Sequence, residues 1–456
     1  MIASLSKGSG KVFSMTKSGF IAVLVSGAMN PVNLQADVSN HSHPAIFQKN
    51  TITANTESFI PLTTLITEAL ENNPEIQAAQ QEREAAQHRI APAEALDDPM
   101  LEAGVINAPL ASSAFNREDM TMKMIGLSQR LPFPGKRGLR KDVASKDAEA
   151  IEHGYQETVN RVVRDLKTAY FDLGLTFEMI KLVEKNKLIL EGFLHLTERH
   201  YIVVGMGSQA DALKAQTQVS RMQDELLRLA RIWPAFEADL IRALGRNAKG
   251  VVPVPMPLQI HAVPLTLETL QQEALAQRPQ LLALQSLIAR NEKSIDLARR
   301  AYYPDFDVRL SYGQRDNMLD GTRRDDMVSL TMAINLPVWR GNKIEPRIME
   351  SHAMRDQVSS LYQAQTNEIA ARLRQQIAMA EQSLKSVKLY QTTILPQARL
   401  TVESTLAAYQ VNRVDFLTLL DSQMTVFNYE INLVTTLANY NKALAEIDLL
   451  VGKKHH

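Results

Sequence analysis

No strong breaker interrupts the chain from about Lys136 to Val203, and a helix of that length limits the fold more than any other feature. Gly138, Gly154 and Gly174 weaken the stretch locally without ending it. At ~1.5 Å per residue these 68 residues would reach about 100 Å, well beyond one compact core. The flanking helical segments, 62–97 and 208–245, would reach roughly 54 and 57 Å, so that end to end they match the long one. Asn73-Pro74 supplies an N-cap followed by Pro at the first helical position of 74–97, and Pro92 is expected to kink that helix. Leu417, Leu420, Met424, Phe427, Ile431 and Val434 keep the 3,4 spacing of a coiled-coil seam, which predicts extended helix pairs.

The chain is written twice. Ala69-Leu70 and Pro74-Glu75-Ile76 match Ala274-Leu275 and Pro279-Gln280-Leu281 at an offset of 205, as Pro99 and Pro132 match Pro304 and Pro337. Leu213-Lys214-Ala215-Gln216 and Gly245 match Leu420-Asp421-Ser422-Gln423 and Gly452 at 207. Two tandem units follow, 62–250 and 266–456, joined by a Pro-rich linker at 251–265. Upstream, Lys7, Lys11 and Lys17 precede the short apolar run Phe20 to Val25 and the small residues Ser26, Gly27 and Ala28. This predicts a signal peptide within 1–36, with an extended tail at 37–61.

Within each unit the helical pattern gives way to strict alternation. Phe306, Val308, Leu310 and Tyr312 point one way and Asp305, Asp307, Arg309 and Ser311 the other. Val328, Leu330, Met332, Ile334 and Leu336 repeat the pattern, and Leu101, Ala103, Val105, then Ile125, Leu127 and Leu131, form a looser version in the first unit. Met120, Met122 and Met124 have the opposite parity; methionine at period two reads first as simple packing, and the alternative is a path for soft Cu(I), which thioethers suit. The polar stretches 108–119 and 315–325 predict loops.

No segment has the length of a membrane-spanning helix, so a membrane location requires a β-barrel. Four strands cannot close one. Closure needs symmetric copies, eight strands from two chains or twelve from three. The apolar face would then meet lipid and the polar face a wet lumen. Tyr302, Tyr303, Phe133 and Trp339 fall at one rim, where a membrane-interface aromatic belt belongs. Lys+Arg and Asp+Glu are both 50, a balance that gives no case for nucleic acid, and Cys 0 excludes disulfides, thiolate metal sites and thiol chemistry. No catalytic, cofactor or metal motif emerges; His41, His43, His455 and His456 lie in tails and read as incidental.

The segments LPFPGKR at 131–137 and LPVWRGNK at 336–343 follow the paired strands, and YIVVGMGSQADALKAQ at 201–216 and YQVNRVDFLTLLDSQ at 409–423 join the helices. With the duplication, they give a chain that resembles the TolC-type outer-membrane efflux family from about residue 62 to its end. LPFPGKR resembles its heavy-metal (Czc/Cus-like) branch. The resemblance implies a mainly α fold with a membrane β-barrel. It further implies a homotrimer with a twelve-stranded outer-membrane barrel, continued by a long periplasmic α-helical barrel. Implied partners are outer membrane lipids, a periplasmic adaptor (membrane fusion) protein and an inner-membrane RND pump. The implied function is a passive exit duct, with no enzyme activity and no cofactor. Tip turns for docking map onto Gly205, Met206, Gly207, Asn412 and Arg413, and an acidic gate onto Asp421, with Asp415 standing in where Thr418 replaces a second acid. Metal efflux, multidrug efflux and type I protein secretion stay open as duties of such a duct. A periplasmic coiled-coil scaffold would explain the helices and leave the strand pairs unexplained.

Overall fold

Both halves of the chain run through helices, a hairpin, a long helix and a return helix. The first contains α1 (Leu62–Asn72), α2 (Pro74–His88), α3 (Ile90–Glu94), β1 (Met100–Ile106), β2 (Met122–Leu131), α4 (Lys136–Arg199) and α5 (Gln209–Leu244). The second contains α6 (Leu267–Gln277), α7 (Pro279–Arg300), β3 (Phe306–Gln314), β4 (Met327–Ile334), α8 (Glu345–Leu389), α9 (Leu395–Gln410) and α10 (Phe416–Val451). Wide π-turns at Arg340–Ile344 and Tyr390–Ile394 flank α8. The computed structural model describes residues 60–110, 114–199, 201, 208–247, 255–260 and 266–453. The signal-peptide segment, the tail histidines and Gly205-Met206-Gly207 lie outside them.

Local chemistry explains the helix ends. Asn73 caps α2 by accepting from the Glu75 and Ile76 N–H groups at 2.8 and 3.3 Å. The expected perturbation at Pro92 falls at Arg89, a single residue between α2 and α3 that stays right-handed helical at φ −74° and ψ −17°. Proline has no N–H to donate to the His88 carbonyl, and its ring crowds that carbonyl. α4 is continuous for 64 residues, about 96 Å at an α-helical rise. Gly245 and Gly452 end α5 and α10 at φ 71° and 81°. There a Cβ would lie 2.5 Å from the Asn72 carbonyl oxygen and 2.7 Å from the Arg278 Cα, so close backbone crossing as well as the left-handed turn requires glycine.

The core is strung along the helices. Val183, Leu190 and Phe193 of α4 meet Ala215, Met222 and Leu229 of α5 and Phe416, Leu419 and Phe427 of α10. Further along, Leu65 and Ala69 pack with Leu166, Leu173, Leu240 and Leu244, and the second half repeats the arrangement with Ala274, Leu281, Leu373, Ile377 and Leu450. The expected seam on α10 holds at Leu420 and Phe427, with Met424 and Ile431 packed beside them, and needs correction at its first residue. Leu417 is 51% exposed, while Phe416, Leu419, Leu420, Gln423, Val426, Phe427 and Glu430 are buried. α4, α5 and α9 all touch α10, so its buried face is wider than one a/d stripe and begins one residue earlier. Ion pairs Arg164–Glu446 (2.6 Å), Lys167–Asp448 (2.6 Å), Lys442–Asp172 (2.8 Å) and Lys185–Glu430 (3.0 Å) tie α4 of one half to α10 of the other. Among the described residues no helix is long and apolar enough to cross a membrane.

Candidate functional site

Among the described residues the four strands form one antiparallel sheet in the order β1-β2-β3-β4, with β1 and β4 at its edges. Its register aligns Leu101, Leu127, Leu310 and Leu330 in one row and Ala103, Ile125, Tyr312 and Val328 in the next. Directly opposed residues share a face, so the alternation found in four separate segments becomes one largely apolar surface, broken by Gln129 beside Val308 and by Lys123 at the loop end. That surface is exposed: Leu101 71%, Leu310 53%, Val328 71%, Leu330 73% and Met332 61%. The opposite face holds Glu102, Ser128, Asp307, Arg309, Ser311, Ser329 and Thr331, and there Arg309 meets Glu102 at 2.8 Å. A water-soluble sheet buries its apolar face; this one shows it. β4 ends at Ile334, so Leu336, expected to continue the strand, lies beyond it and is 73% exposed.

Where sheet meets helices, Lys136 is the central residue. Its side chain is only 9% exposed and its Nζ donates to Asp305 at 2.7 Å and to the Tyr303 carbonyl at 2.8 Å. Burial would raise the Asp305 carboxyl, but hydrogen bonds from Lys136 and the Phe133 N–H, with the charges of Lys136 and Arg130, hold it below the ordinary carboxylate range. Gly135, at φ 91°, turns the chain into α4 and places Lys136 there. Phe133 and Tyr303 stack at 4.6 Å. Tyr302 lies under the Arg340 guanidinium at 5.8 Å, and Trp339 is 72% exposed. The four aromatics therefore share one end of the sheet, two stacked on each other and one open.

At the opposite end of the sheet, Arg324 is buried and donates to the carbonyls of Phe115 (3.2 Å), Glu118 (2.6 Å) and Asp119 (3.1 Å), and also to that of Asp316. It joins the two loops that cap the hairpins.

At the helical tip, Asn412 takes a left-handed conformation, φ 57°, and the Arg413 N–H donates to the Ala408 carbonyl at 2.8 Å. Asp415 is the N-cap of α10: its carboxylate accepts from the Thr418 N–H at 3.0 Å and from the Thr418 hydroxyl. The Thr418 hydroxyl, then its N–H, hold the Asp415 carboxyl below its ordinary range. Asp421, further along α10, is exposed.

The sequence model of the outer membrane efflux protein family matches residues 65–246 and again 270–453. The chain belongs to that family. This efflux protein resides in the outer membrane, with a long helical part in the periplasm. It is 22% identical over 339 residues to the cobalt-zinc-cadmium resistance protein CzcC of Cupriavidus metallidurans, covering 70% of this chain and 74% of CzcC. It is 20% identical over 278 residues to the multidrug resistance outer membrane protein MdtP of Shigella flexneri, covering 58% of this chain and 54% of MdtP. The fold matches the outer membrane protein VceC from Vibrio cholerae with a TM-score of 0.72 at 16% identity, covering 86% of this chain and 96% of that one. It matches CusC with a TM-score of 0.72 at 17% identity, covering 90% and 96%.

In this efflux protein, sequence reading missed the roles of Lys136 and Arg324 and set Asp305 in the strand alternation, whereas β3 begins at Phe306 and Asp305 pairs with Lys136. Lys136 stands inside LPFPGKR, so its motif was visible, but its carboxylate partner lies 169 residues away. Arg324 binds carbonyls, which every residue possesses, and no residue-type pattern could mark them.

Proposed function

We propose that three copies of this chain close a twelve-stranded outer-membrane barrel and form a passive exit duct for metal ions. A periplasmic adaptor and an inner-membrane RND-type pump would deliver those ions. The observation that carries the reading is the inverted sheet: a largely apolar face exposed, a mostly polar one opposite, and two edges with no partner strand among the described residues. Lipid offers no hydrogen bonds to a free strand edge, so such a sheet is viable only when like copies complete it. Energy for transport then comes from the pump. Exposed Tyr303 and Trp339, with Phe133 and Tyr302, would sit at the periplasmic interface of the bilayer. The turn at Asn412-Arg413, with Gly205-Met206-Gly207, would face the adaptor and pump, and Asp421 would narrow the entrance by its charge.

Metal is favoured as cargo by the longer alignment to CzcC. The match to MdtP sustains a multidrug duct as the second reading. A deletion strain plated on cobalt, zinc, cadmium, copper, silver and a drug panel separates them. Lost tolerance to metals alone supports the first, and lost tolerance to drugs alone replaces it with the second. Purified protein that stays monomeric in mild detergent refutes the duct under either reading.

A further inference from the structure

One end of the sheet's polar face differs from the rest. Away from the Arg309–Glu102 pair, toward the loop end, strand pairing sets Gly104, Met124, Gly313 and Met327 in one row across all four strands. Met122 lies two residues from Met124 and so on the same face. Its Sδ lies over Gly313, where a Cβ would come within 2.5 Å of it. A Cβ at Gly104, on the other side of Met124, would meet nothing within 4 Å, so space is open there too. None of the four residues in the row is charged. Met122 and Met124 are half-buried and Met327 is 39% exposed. Met120, which the alternation had grouped with them, sits in the turn before β2 and stays outside.

Apolar filler belongs on the other face, where the leucines are. Here flexible thioether side chains surround a floor of glycine on the face that also holds serine, threonine and arginine. We propose that Met122, Met124 and Met327, gathered around Gly313, form a thioether site for a soft monovalent cation, Cu(I) or Ag(I). The proposal rests on the reading that this face lines the duct. Thioethers prefer soft cations to zinc or cobalt. They carry no proton to release, so binding would not weaken as cysteine or histidine sites do on mild acidification. They also leave the ion's charge uncompensated, which suits a site that ions must leave again.

The test uses full-length protein in detergent with silver nitrate as the probe. Peroxide oxidation of each methionine is followed by mass spectrometry. Silver is expected to slow oxidation of Met122, Met124 and Met327 by about ten-fold or more, while exposed Met349 and Met379 on α8 keep their rates. Zinc should protect none of them. Equal rates with and without silver, or equal protection at Met349 and Met379, overturns the site. In cells, the combined Met122→Leu, Met124→Leu and Met327→Leu variant should lower tolerance to silver and copper and spare cobalt, zinc and cadmium. Unchanged silver tolerance, with the variant present in the membrane at wild-type level, also overturns it. A deletion strain that keeps its tolerance to every metal refutes the metal duct instead, and the oxidation rates still decide the site.

Discussion

Leu330 and Ser329 are adjacent residues on opposite faces of the sheet, and arginine at each position separates a lipid-facing sheet from a solvated one. Leu330 sits mid-strand, three residues from Met327 and four from Ile334, in the row Leu101–Leu127–Leu310–Leu330. A strand rises about 3.3 Å per residue, so each end of β4 is roughly 10–13 Å away, and in the proposed barrel Leu330 would fall near the bilayer midplane. Arginine on the lipid face there should cost about 2–4 kcal/mol per protomer. That shifts the folding equilibrium by about 30- to 700-fold, because each 1.4 kcal/mol is a factor of ten. Ser329 shares the opposite face with Glu102 and Ser311, and Ser329→Arg should cost within about 0.5 kcal/mol, as an ordinary exposed substitution does. The assay is urea titration of protein refolded into phospholipid vesicles, read by heat-modifiable gel mobility. Were the apolar face in water, Leu330→Arg would fall in the same narrow range as Ser329→Arg. Equal costs for the two variants, or the greater cost at Ser329, would refute the reasoning.

Two further outcomes follow from charges on the helices. Arg278 is 4% exposed and pairs with Glu157 at 3.2 Å, and burial pushes the Glu157 carboxyl up against the opposing pull of Arg278. Arg278→Met should therefore destabilise the helical part by about 1–3 kcal/mol at neutral pH, because the half-buried Glu157 carboxylate loses its guanidinium partner. A folded-state pKa above the unfolded value makes protonation favour the fold, so chemical denaturation at pH 5 should recover part of that loss; a loss that grows at pH 5 contradicts this. At the tip, Asp415→Asn can keep the α10 cap while removing charge, whereas Asp415→Ala would lose both. Asp421→Asn should accordingly raise single-channel conductance in planar bilayers and weaken block by multivalent cations, more with Asp415→Asn added; unchanged conductance and block remove both residues from the gate.

What the sequence disclosed follows from which interactions leave a local signature. Alternation has a period of two, so Phe306, Val308, Leu310 and Tyr312 announced their face before any partner strand was known, and the pairing with Leu131, Gln129, Leu127 and Ile125 agrees with it at three of four positions. Asn73-Pro74 marked the start of α2 because a cap bonds its own next turn. The α10 seam was right at Leu420 and Phe427 and wrong at its first member, because there a spacing of three and four fits two neighbouring stripes equally well. The choice of Phe416 over Leu417 belongs to three surrounding helices. Asp415 was read as gate charge alone, and the structure adds its bond to Thr418, a capping role that spacing toward Asp421 did not suggest. Lys136 and Asp305, and the four carbonyls around Arg324, meet only through tertiary folding, which no window of sequence contains.

The offset of the duplication grows across the stretch that holds the π-turns at Arg340–Ile344 and Tyr390–Ile394. The second family match begins 205 residues after the first (270 against 65) and ends 207 after it (453 against 246). Each wide turn stores about one residue more than an α-turn, and the one at Tyr390–Ile394 does so between Leu389 and Leu395, which both stay right-handed helical. A stave of this kind can lengthen in single-residue increments instead of whole heptads, its later side chains re-phased by about 100° for each insertion. Two halves of unequal length can thus keep their ends level.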